Sequence, residues 1–204
     1  MTNILHRGDL PDDFRPGDSV AIDTETLGLN PHRDRLCLVQ LSTGDGSAHL
    51  VQIAQGQTEA PNLTRLLADP KVTKIFHFGR FDLAILQKTF GFRAGPVYCT
   101  KIASKLTRTY TDRHGLKDVT RELLGIDLSK AQQSSDWGAA RLSGDQVTYA
   151  ASDVLHLHQL KVRLDEMLAR EGRADYARAC FEFLPWRARL DLAGWEDVDV
   201  FAHA

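Results

Sequence analysis

Short apolar runs alternate with polar turn segments through the first half of the chain. Each run has the length of a strand and is bounded by turn-forming residues, so the pattern predicts five strands. They lie at 20–23, 36–41, 48–53, 72–76 and 97–99. The Thr-Gly-Asp-Gly segment at 43–46 predicts a hairpin turn between the second strand and the third.

Helical periodicity appears between the later strands and through the second half. Leu83, Leu86 and Phe90 form one apolar stripe, and Gly91 ends that helix. Ser143 and Gln146 have the spacing of a capping box, which starts a long helix. The predicted helices are 62–68, 80–90, 101–106, 116–124 and 145–170. Hairpin-like strands followed by alternating helices and strands predict an α/β protein whose mixed sheet has helices on its faces.

Composition and charge narrow the class of protein. The 204 residues carry a formal charge of −2, from 25 Lys and Arg against 27 Asp and Glu. A near-neutral chain argues against a protein that holds long nucleic acids by bulk charge. The length fits one domain, which we place at 1–180 with a C-terminal extension at 181–204. The extension is rich in aromatic residues, so we expect a subunit interface there, with folding back onto its own domain as the alternative.

The sequence also predicts a cytoplasmic protein that does not enter a membrane. No apolar run has the length of a signal-peptide core or of a membrane-spanning helix. Cys37, Cys99 and Cys180 are odd in number and form no Cys-x-x-Cys pair. We therefore expect neither a thiolate zinc site nor a disulfide framework.

Two carboxylates stand together at the end of the first predicted strand. Asp23 and Glu25 are two residues apart, so their side chains share one face of the strand. Two like charges this close repel one another unless a cation lies between them. A solvated strand end is the alternative interpretation of this pair.

Two further carboxylates follow later in the chain. Asp82 lies where a strand gives way to a helix, and an acid there also interacts favourably with the helix dipole. Tyr149 and Asp153 are four residues apart on a predicted helix, so they share one face, either as a surface pair or as part of a site.

Taken together, these residues predict a metal-dependent active site. Four carboxylates and one phenol converge only where cations neutralise them, and hard divalent ions such as Mg²⁺ or Mn²⁺ prefer oxygen ligands. Two such ions would hold the attacking and leaving oxygens of a phosphoryl displacement. We predict Asp23, Glu25, Asp82 and Asp153 as metal ligands, and Tyr149 as the residue that positions the attacking water.

Three motifs resemble those of the DEDD superfamily of 3′–5′ exonucleases. They are Asp-Thr-Glu-Thr at 23–26, Phe-His-Phe-Gly-Arg-Phe-Asp at 76–82 and Tyr-Ala-Ala-Ser-Asp at 149–153. Tyr149 lies four residues before Asp153, while Thr148 occupies the position of the histidine-branch histidine, so the resemblance is to the tyrosine branch. The segment 132–137 is similar to ribonuclease D, and the whole chain resembles the small bacterial nanoRNase C group.

This resemblance implies a ribonuclease H-like fold of the DnaQ-like exonuclease type, with a mixed five-stranded sheet and two bound metal ions. It also implies an exoribonuclease that degrades very short single-stranded RNA, above all dinucleotides, to 5′-phosphomonoesters, and a homo-oligomer assembled as an octameric ring. Trimming of tRNA 3′ ends and hydrolysis of DNA remain open as alternative activities. A non-catalytic nucleic-acid-binding module is an alternative of another class.

A basic stretch at 101–117 with interleaved aromatic residues suits phosphate contacts. We expect part of it, together with Ser134 or Ser135, to cap the 5′ phosphate of a short substrate; an ordinary solvated surface is the alternative. By resemblance, Leu27 or Leu29 wedges against the terminal bases, with core packing as the alternative. Phe78 and Phe81 fit the core better than a base-stacking role. The predicted substrate-binding residues are Thr24, Leu27, Leu29, His77, Lys101, Arg108, Tyr110, Arg113, His114, Ser134 and Ser135.

Overall fold

The computed structural model describes residues 2–129, 132 and 134–203. Its strands are β1 (Thr2–Arg7), β2 (Ser19–Thr26), β3 (Leu36–Ser42), β4 (Ser47–Gln52), β5 (Thr73–Phe76) and β6 (Val97–Cys99). Its helices are α1 (Pro61–Ala68), α2 (Gly79–Phe90), α3 (Thr100–Thr107), α4 (Leu116–Leu124), α5 (Gly144–Leu155), α6 (Leu157–Arg170) and α7 (Ala174–Leu190). A wide helical turn of the π type, Asp191–Trp195, follows α7.

The strands form one mixed sheet in the order β1-β4-β3-β2-β5-β6. The pairs β2–β3 and β3–β4 are antiparallel, whereas β1–β4, β2–β5 and β5–β6 are parallel. The predicted α/β class and mixed sheet are confirmed, with six strands instead of five. The sequence prediction missed β1 because this edge strand is largely exposed and lacks an alternating apolar pattern.

Helices cover both faces of the sheet. On one face, residues of α1, α2 and α7 pack in one apolar cluster, and on the other face residues of α3 to α6 pack in a second. Strand β3 is buried at every position because it lies under both layers, with Val39 in the first cluster and Leu38 in the second.

The helix predicted at 145–170 is two helices in the structure. α5 ends at Leu155, His156 forms the junction, and α6 starts at Leu157. The capping box predicted at the start of α5 is present: the Gln146 amide donates to Ser143 Oγ at 3.2 Å, and the Ser143 amide donates to Gln146 Oε1 at 2.8 Å. Because α5 begins at this capping box, it crosses the end of β2, where the candidate site lies.

Helix α7 was not predicted as a helix, and the expected boundary at 180/181 falls inside it. Leu184 and Ala188 of α7 are buried in the same cluster as the residues of α2. The first part of the expected extension therefore belongs to the core of the domain. Within the described residues, no helix is both long and apolar enough to cross a membrane.

Candidate active site

The parallel strands β2, β5 and β6 place their carboxyl ends along one edge of the sheet. Asp23 and Glu25 lie near the carboxyl end of β2, while Asp153 lies on α5. One carboxylate oxygen from each of these three residues lies within 4.8 Å of the other two. Residues 128 positions apart in sequence thus meet in one cluster, as the convergence argument predicts.

Asp82 lies in the first turn of α2 and is 4% exposed. Thr24, whose side chain points to the opposite face of β2 from its two acidic neighbours, donates a hydrogen bond from Oγ1 to Asp82 Oδ1 at 2.6 Å. Burial raises the pKa of Asp82 most, and the negative charge of Asp23 raises it further. Asp82 is therefore electrostatically part of the cluster, and Thr24 fixes its position.

Gln40 is a site residue that the sequence prediction missed. It lies directly opposite Asp23 in the β2–β3 register, and its Nε2 donates to Asp23 Oδ2 at 3.4 Å. The side chain is fully buried, and its Oε1 has no hydrogen-bond partner in the described part of the chain. A single amide in the otherwise apolar run Leu36–Leu41 was the available signal.

Tyr149 lies half-buried one turn before Asp153 on α5, and a hydrogen bond links the two side chains. Its ring lies 6.0 Å, centroid to centroid, from the buried indole of Trp137. Burial, followed by the charges of Asp153 and Glu25, raises the pKa of Tyr149 above its ordinary value of 10. The hydroxyl therefore stays protonated at neutral pH.

Burial raises the pKa of every carboxyl in the cluster, and repulsion by neighbouring carboxylates raises the pKa of Glu25, Asp82 and Asp153 further. Burial raises the pKa of Asp23 to about 7, and burial with the charge of Asp23 raises that of Asp153 to about 8. Glu25 reaches about 10 through burial and then through the charges of Asp23, Asp153 and Asp82. The charged forms of these groups therefore need positive charge beside them, which either protons or cations can supply.

The rim of the site carries exposed apolar side chains. Leu27 is 53% exposed and Leu29 is 87% exposed, so the core-packing alternative is wrong for both residues. Phe78, which we expected in the core, is 48% exposed. It precedes α2 in a left-handed conformation with φ of 70°, and Lys101 Nζ lies 4.2 Å from the centre of its ring. Phe81, by contrast, packs against the core as expected.

The basic stretch divides into exposed and buried parts. Arg113 and Tyr110 are exposed, and Lys101 and His114 are half-buried. Arg108 is fully buried: its guanidinium contacts Glu122, donates to Ser104 Oγ at 3.0 Å and donates to the Arg113 carbonyl at 2.7 Å. The geometry therefore does not place Arg108 on the substrate, because its donors are already used. It instead holds the loop that carries Arg113.

The remaining predicted substrate residues are His77, Ser134 and Ser135. His77 Nδ1 is 2.8 Å from Thr100 Oγ1, and burial lowers the pKa of the ring to about 3, so the ring is neutral and held by Thr100. Ser134 is exposed, while Ser135 Oγ donates to Gln132 Oε1 at 3.2 Å. Gln133, within the segment similar to ribonuclease D, lies outside the described residues.

Known proteins share both the sequence pattern and the fold. A family model described as a 3′–5′ exonuclease matches residues 10–169. Ribonuclease D of Gluconacetobacter diazotrophicus is 39% identical over 157 residues, which are 77% of this chain and 39% of that protein. Two structures of Brucella melitensis NrnC, one with bound Mg²⁺ and one bound to pGG, are 61% and 62% identical, with a TM-score of 0.96 over all of both chains.

The matched span includes all three motifs and the whole carboxylate cluster. The chain spans about two fifths of the length of the ribonuclease D that it matches. The resemblance drawn from the motifs is confirmed at the level of the family. The matched span, the shared fold and the carboxylate cluster together show that this chain belongs to the 3′–5′ exonuclease family.

Proposed function

We propose that this protein is a two-metal 3′–5′ exoribonuclease that degrades very short RNA, dinucleotides above all, to nucleoside 5′-monophosphates. The observation that carries the proposal is the cluster of Asp23, Glu25 and Asp153, whose oxygens lie within 4.8 Å at the end of β2. Asp82 adds a fourth carboxyl beside it, and the arrangement lies on the fold of the exonuclease family.

The donor set fits hard divalent cations. It consists of carboxylate oxygens, with Asp82 buried and the other three residues half-buried, and loss of hydration raises the pKa of each group, so cations stabilise the charged forms. Asp23, Glu25, Asp82 and Asp153 would hold the ions, for which Mg²⁺ or Mn²⁺ is the fitting choice. When bound, such ions lower the pKa of a water and stabilise the leaving 3′ oxygen.

The protein side chains would orient the reactants. Tyr149 keeps its proton at neutral pH and donates it in a hydrogen bond to Asp153, so its oxygen would accept a hydrogen bond from the attacking water and align it beside Asp153. Thr24 holds Asp82, and Gln40 holds Asp23, so two of the four carboxylates are fixed before a ligand arrives. This pre-arrangement reduces the reorganisation needed during the reaction.

Substrate length is the finer part of the proposal. The NrnC of Brucella melitensis, which matches over the whole chain, is known bound to pGG, a dinucleotide with a 5′ phosphate. In this chain, Lys101 and Arg113 supply accessible cations, and the exposed Leu27 and Leu29 supply apolar contacts for terminal bases. We propose that the cations and Ser134 or Ser135 receive the 5′ phosphate and so limit the length.

We also propose a cytoplasmic homo-oligomer, an octameric ring in the nanoRNase manner. Trp195 and Phe201 are 46% or more exposed near the end of the described chain, and exposed apolar side chains of this size are typical of a subunit contact. Sedimentation or light scattering of the protein in solution gives the number of subunits directly.

A length series tests the proposed function. RNA of two to seven nucleotides with a labelled 5′ end, and single-stranded DNA of the same lengths, would be incubated with Mg²⁺, with Mn²⁺ and with EDTA. We expect the dinucleotide to be cleaved at least about tenfold faster than the heptamer, and no cleavage in EDTA. Asp23→Asn should abolish cleavage, while Arg163→Gln on the exposed face of α6 should not.

Several results would contradict the proposal. Equal rates across all lengths, or faster trimming of a tRNA 3′ end than of the dinucleotide, would favour ribonuclease D-like processing. Faster cleavage of DNA would reassign the substrate. Binding of RNA without metal-dependent hydrolysis would favour a non-catalytic module.

A further inference from the structure

A second concave site lies between α7 and the loop that precedes β6. It is a cavity of about 360 Å³, which is within the range of small-molecule sites. Residues 93–97 form one wall, and α7 forms the other with Arg178, Phe181 and Arg189. None of its lining residues belongs to the carboxylate cluster.

The cavity lies at the opposite end of the sheet from the catalytic carboxylates. β2, β5 and β6 run parallel, and the carboxylates lie at their carboxyl end. Residues 93–97 lead into the amino end of β6. A ligand in this cavity would therefore not occupy the active site.

The lining combines positive charge with an aromatic ring. The guanidinium carbons of Arg93 and Arg189 lie 5.4 Å and 5.1 Å from the centre of the Trp186 ring. Neither arginine pairs with a carboxylate in the part of the chain that the structure describes, whereas Arg178 pairs with the exposed Asp175. Glu182 is the acid in the lining, so three arginines face one carboxylate.

The charge and the donors of these two arginines suit an anion. Guanidinium groups held against an indole lose less freedom when they bind, and their planar donors match phosphate oxygens. Unpaired arginines beside a cavity differ from the ordinary surface ion pairs elsewhere on this protein, such as Arg163 with Glu166. Two unpaired cations in the lining therefore favour an anionic group in the cavity.

A buried acceptor adds a second, independent feature. Gln87, at the end of α2, lines the cavity and is 8% exposed. Its Oε1 has no hydrogen-bond partner among the described residues. A buried carbonyl oxygen without a partner is unfavourable, and a ligand N–H group would satisfy it.

We propose that this cavity binds a nucleoside 5′-monophosphate with an exocyclic amino group on its base. The phosphate contacts Arg93 and Arg189, the base lies along the apolar wall of Phe181 and Pro185, and its amino group donates to Gln87 Oε1. Glu182 accepts from a ribose hydroxyl. The proposal goes beyond the exonuclease activity and does not depend on it, although such nucleotides are the products of the proposed reaction.

Calorimetric titration of adenosine 5′-monophosphate into the full-length Asp23→Asn variant in EDTA tests the site. Under these conditions neither hydrolysis nor metal-mediated binding at the carboxylates contributes to the signal. We expect one saturable site per chain, with adenosine, ribose 5-phosphate and inorganic phosphate each at least about tenfold weaker. Adding Arg93→Gln and Arg189→Gln together should weaken binding about tenfold or more, since charge-assisted bonds are lost.

The control is Arg163→Gln in the same background, which removes another exposed arginine, outside the cavity lining, and should leave the affinity unchanged. Inosine 5′-monophosphate, which lacks the amino group, should bind several-fold more weakly. The absence of saturable binding, equal affinity for free phosphate, or an unchanged affinity in the double variant would each overturn the proposal. Failure of the RNA length series would leave this result untouched, so the two proposals fail separately.

Discussion

The raised pKa of Asp153 predicts that this carboxyl destabilises the metal-free protein at neutral and alkaline pH. Its pKa is about 8 in the folded protein against an ordinary value of 3.8. Between these values the folded state keeps a proton that the unfolded state has released. The contribution of Asp153 to the free energy of unfolding is therefore most favourable at low pH. It decreases as pH rises from about 4 to 8 and stays constant above pH 8.

The magnitude follows from the same values. One retained proton changes the free energy of unfolding by about 1.4 kcal/mol per pH unit, so Asp153 should reduce it by about 4 kcal/mol between pH 5 and pH 8. For a chain of this length that corresponds to a fall in Tm of about 10 °C. The Asp153→Asn variant carries no such group, so its stability relative to the wild type should grow by that amount.

Thermal unfolding of both proteins in EDTA at pH 5, 6, 7 and 8 measures the effect. The difference between the two proteins is the relevant quantity, because groups outside the cluster contribute alike to both, and the difference reports Asp153 together with its effect on Glu25. Asp145→Asn, at an exposed acid in the first turn of the same helix, is the matched control and should show no growing difference. Saturating Mg²⁺ at pH 8, at about 100 times Kd, should stabilise the wild type by about 3 kcal/mol and the Asp153→Asn variant by less.

A difference between wild type and Asp153→Asn that stays constant from pH 5 to pH 8, or that shrinks as pH rises, would refute the reasoning. It would mean that Asp153 is charged in the metal-free fold and that another group relieves the repulsion. An equal growing difference in Asp145→Asn would assign the effect to the net charge of the protein.

Three other variants test particular contacts. Thr24→Val should lower kcat about tenfold, because Asp82 loses its 2.6 Å hydrogen bond, and Thr24→Ser should restore it; equal kcat in all three proteins would remove Thr24 from the site. Arg108→Gln should lower the free energy of unfolding by about 3 kcal/mol in urea, whereas Arg163→Gln should change it by less than about 0.5 kcal/mol; the reverse order would contradict the structural role of Arg108. Phe78→Asn should leave Tm unchanged or higher, because Asn tolerates the left-handed backbone, while raising KM for a dinucleotide about fivefold; an unchanged KM would exclude base contact.

The sequence pattern predicted the elements whose apolar residues repeat regularly. It found β2 to β6 and the capped start of α5, because burial on one face or two leaves a clear period. It missed β1, whose residues are mostly exposed, and it joined α5 to α6, because His156 at the junction carries no helix-breaking signal. The aromatic residues of 181–204 indicate a C-terminal extension, whereas the structure places those up to Leu190 in a helix that contains Pro185.

The carboxylate cluster was predictable for two reasons. Asp23 and Glu25 are close in sequence, as are Tyr149 and Asp153, and the motifs have the spacing of known exonuclease motifs. The sequence could not show which arginine of the basic stretch is buried, since burial of Arg108 depends on Ser104 of α3 and on Glu122 of α4, fourteen residues away. Nor could it show that Gln40 faces Asp23, because that contact follows from the strand register. Phe78 was expected in the core from its residue type, and its exposure follows from the backbone turn into α2.

Helix α7 also determines how the protein can be divided for experiments. The span that matches the exonuclease family ends at residue 169, before α7 begins at Ala174. A fragment cut there would uncover the face of α2 on which Leu184 and Ala188 pack, and would leave apolar side chains in water. Expression fragments designed from the family match alone should therefore aggregate. The smallest piece that folds independently must retain α7 through at least Leu190.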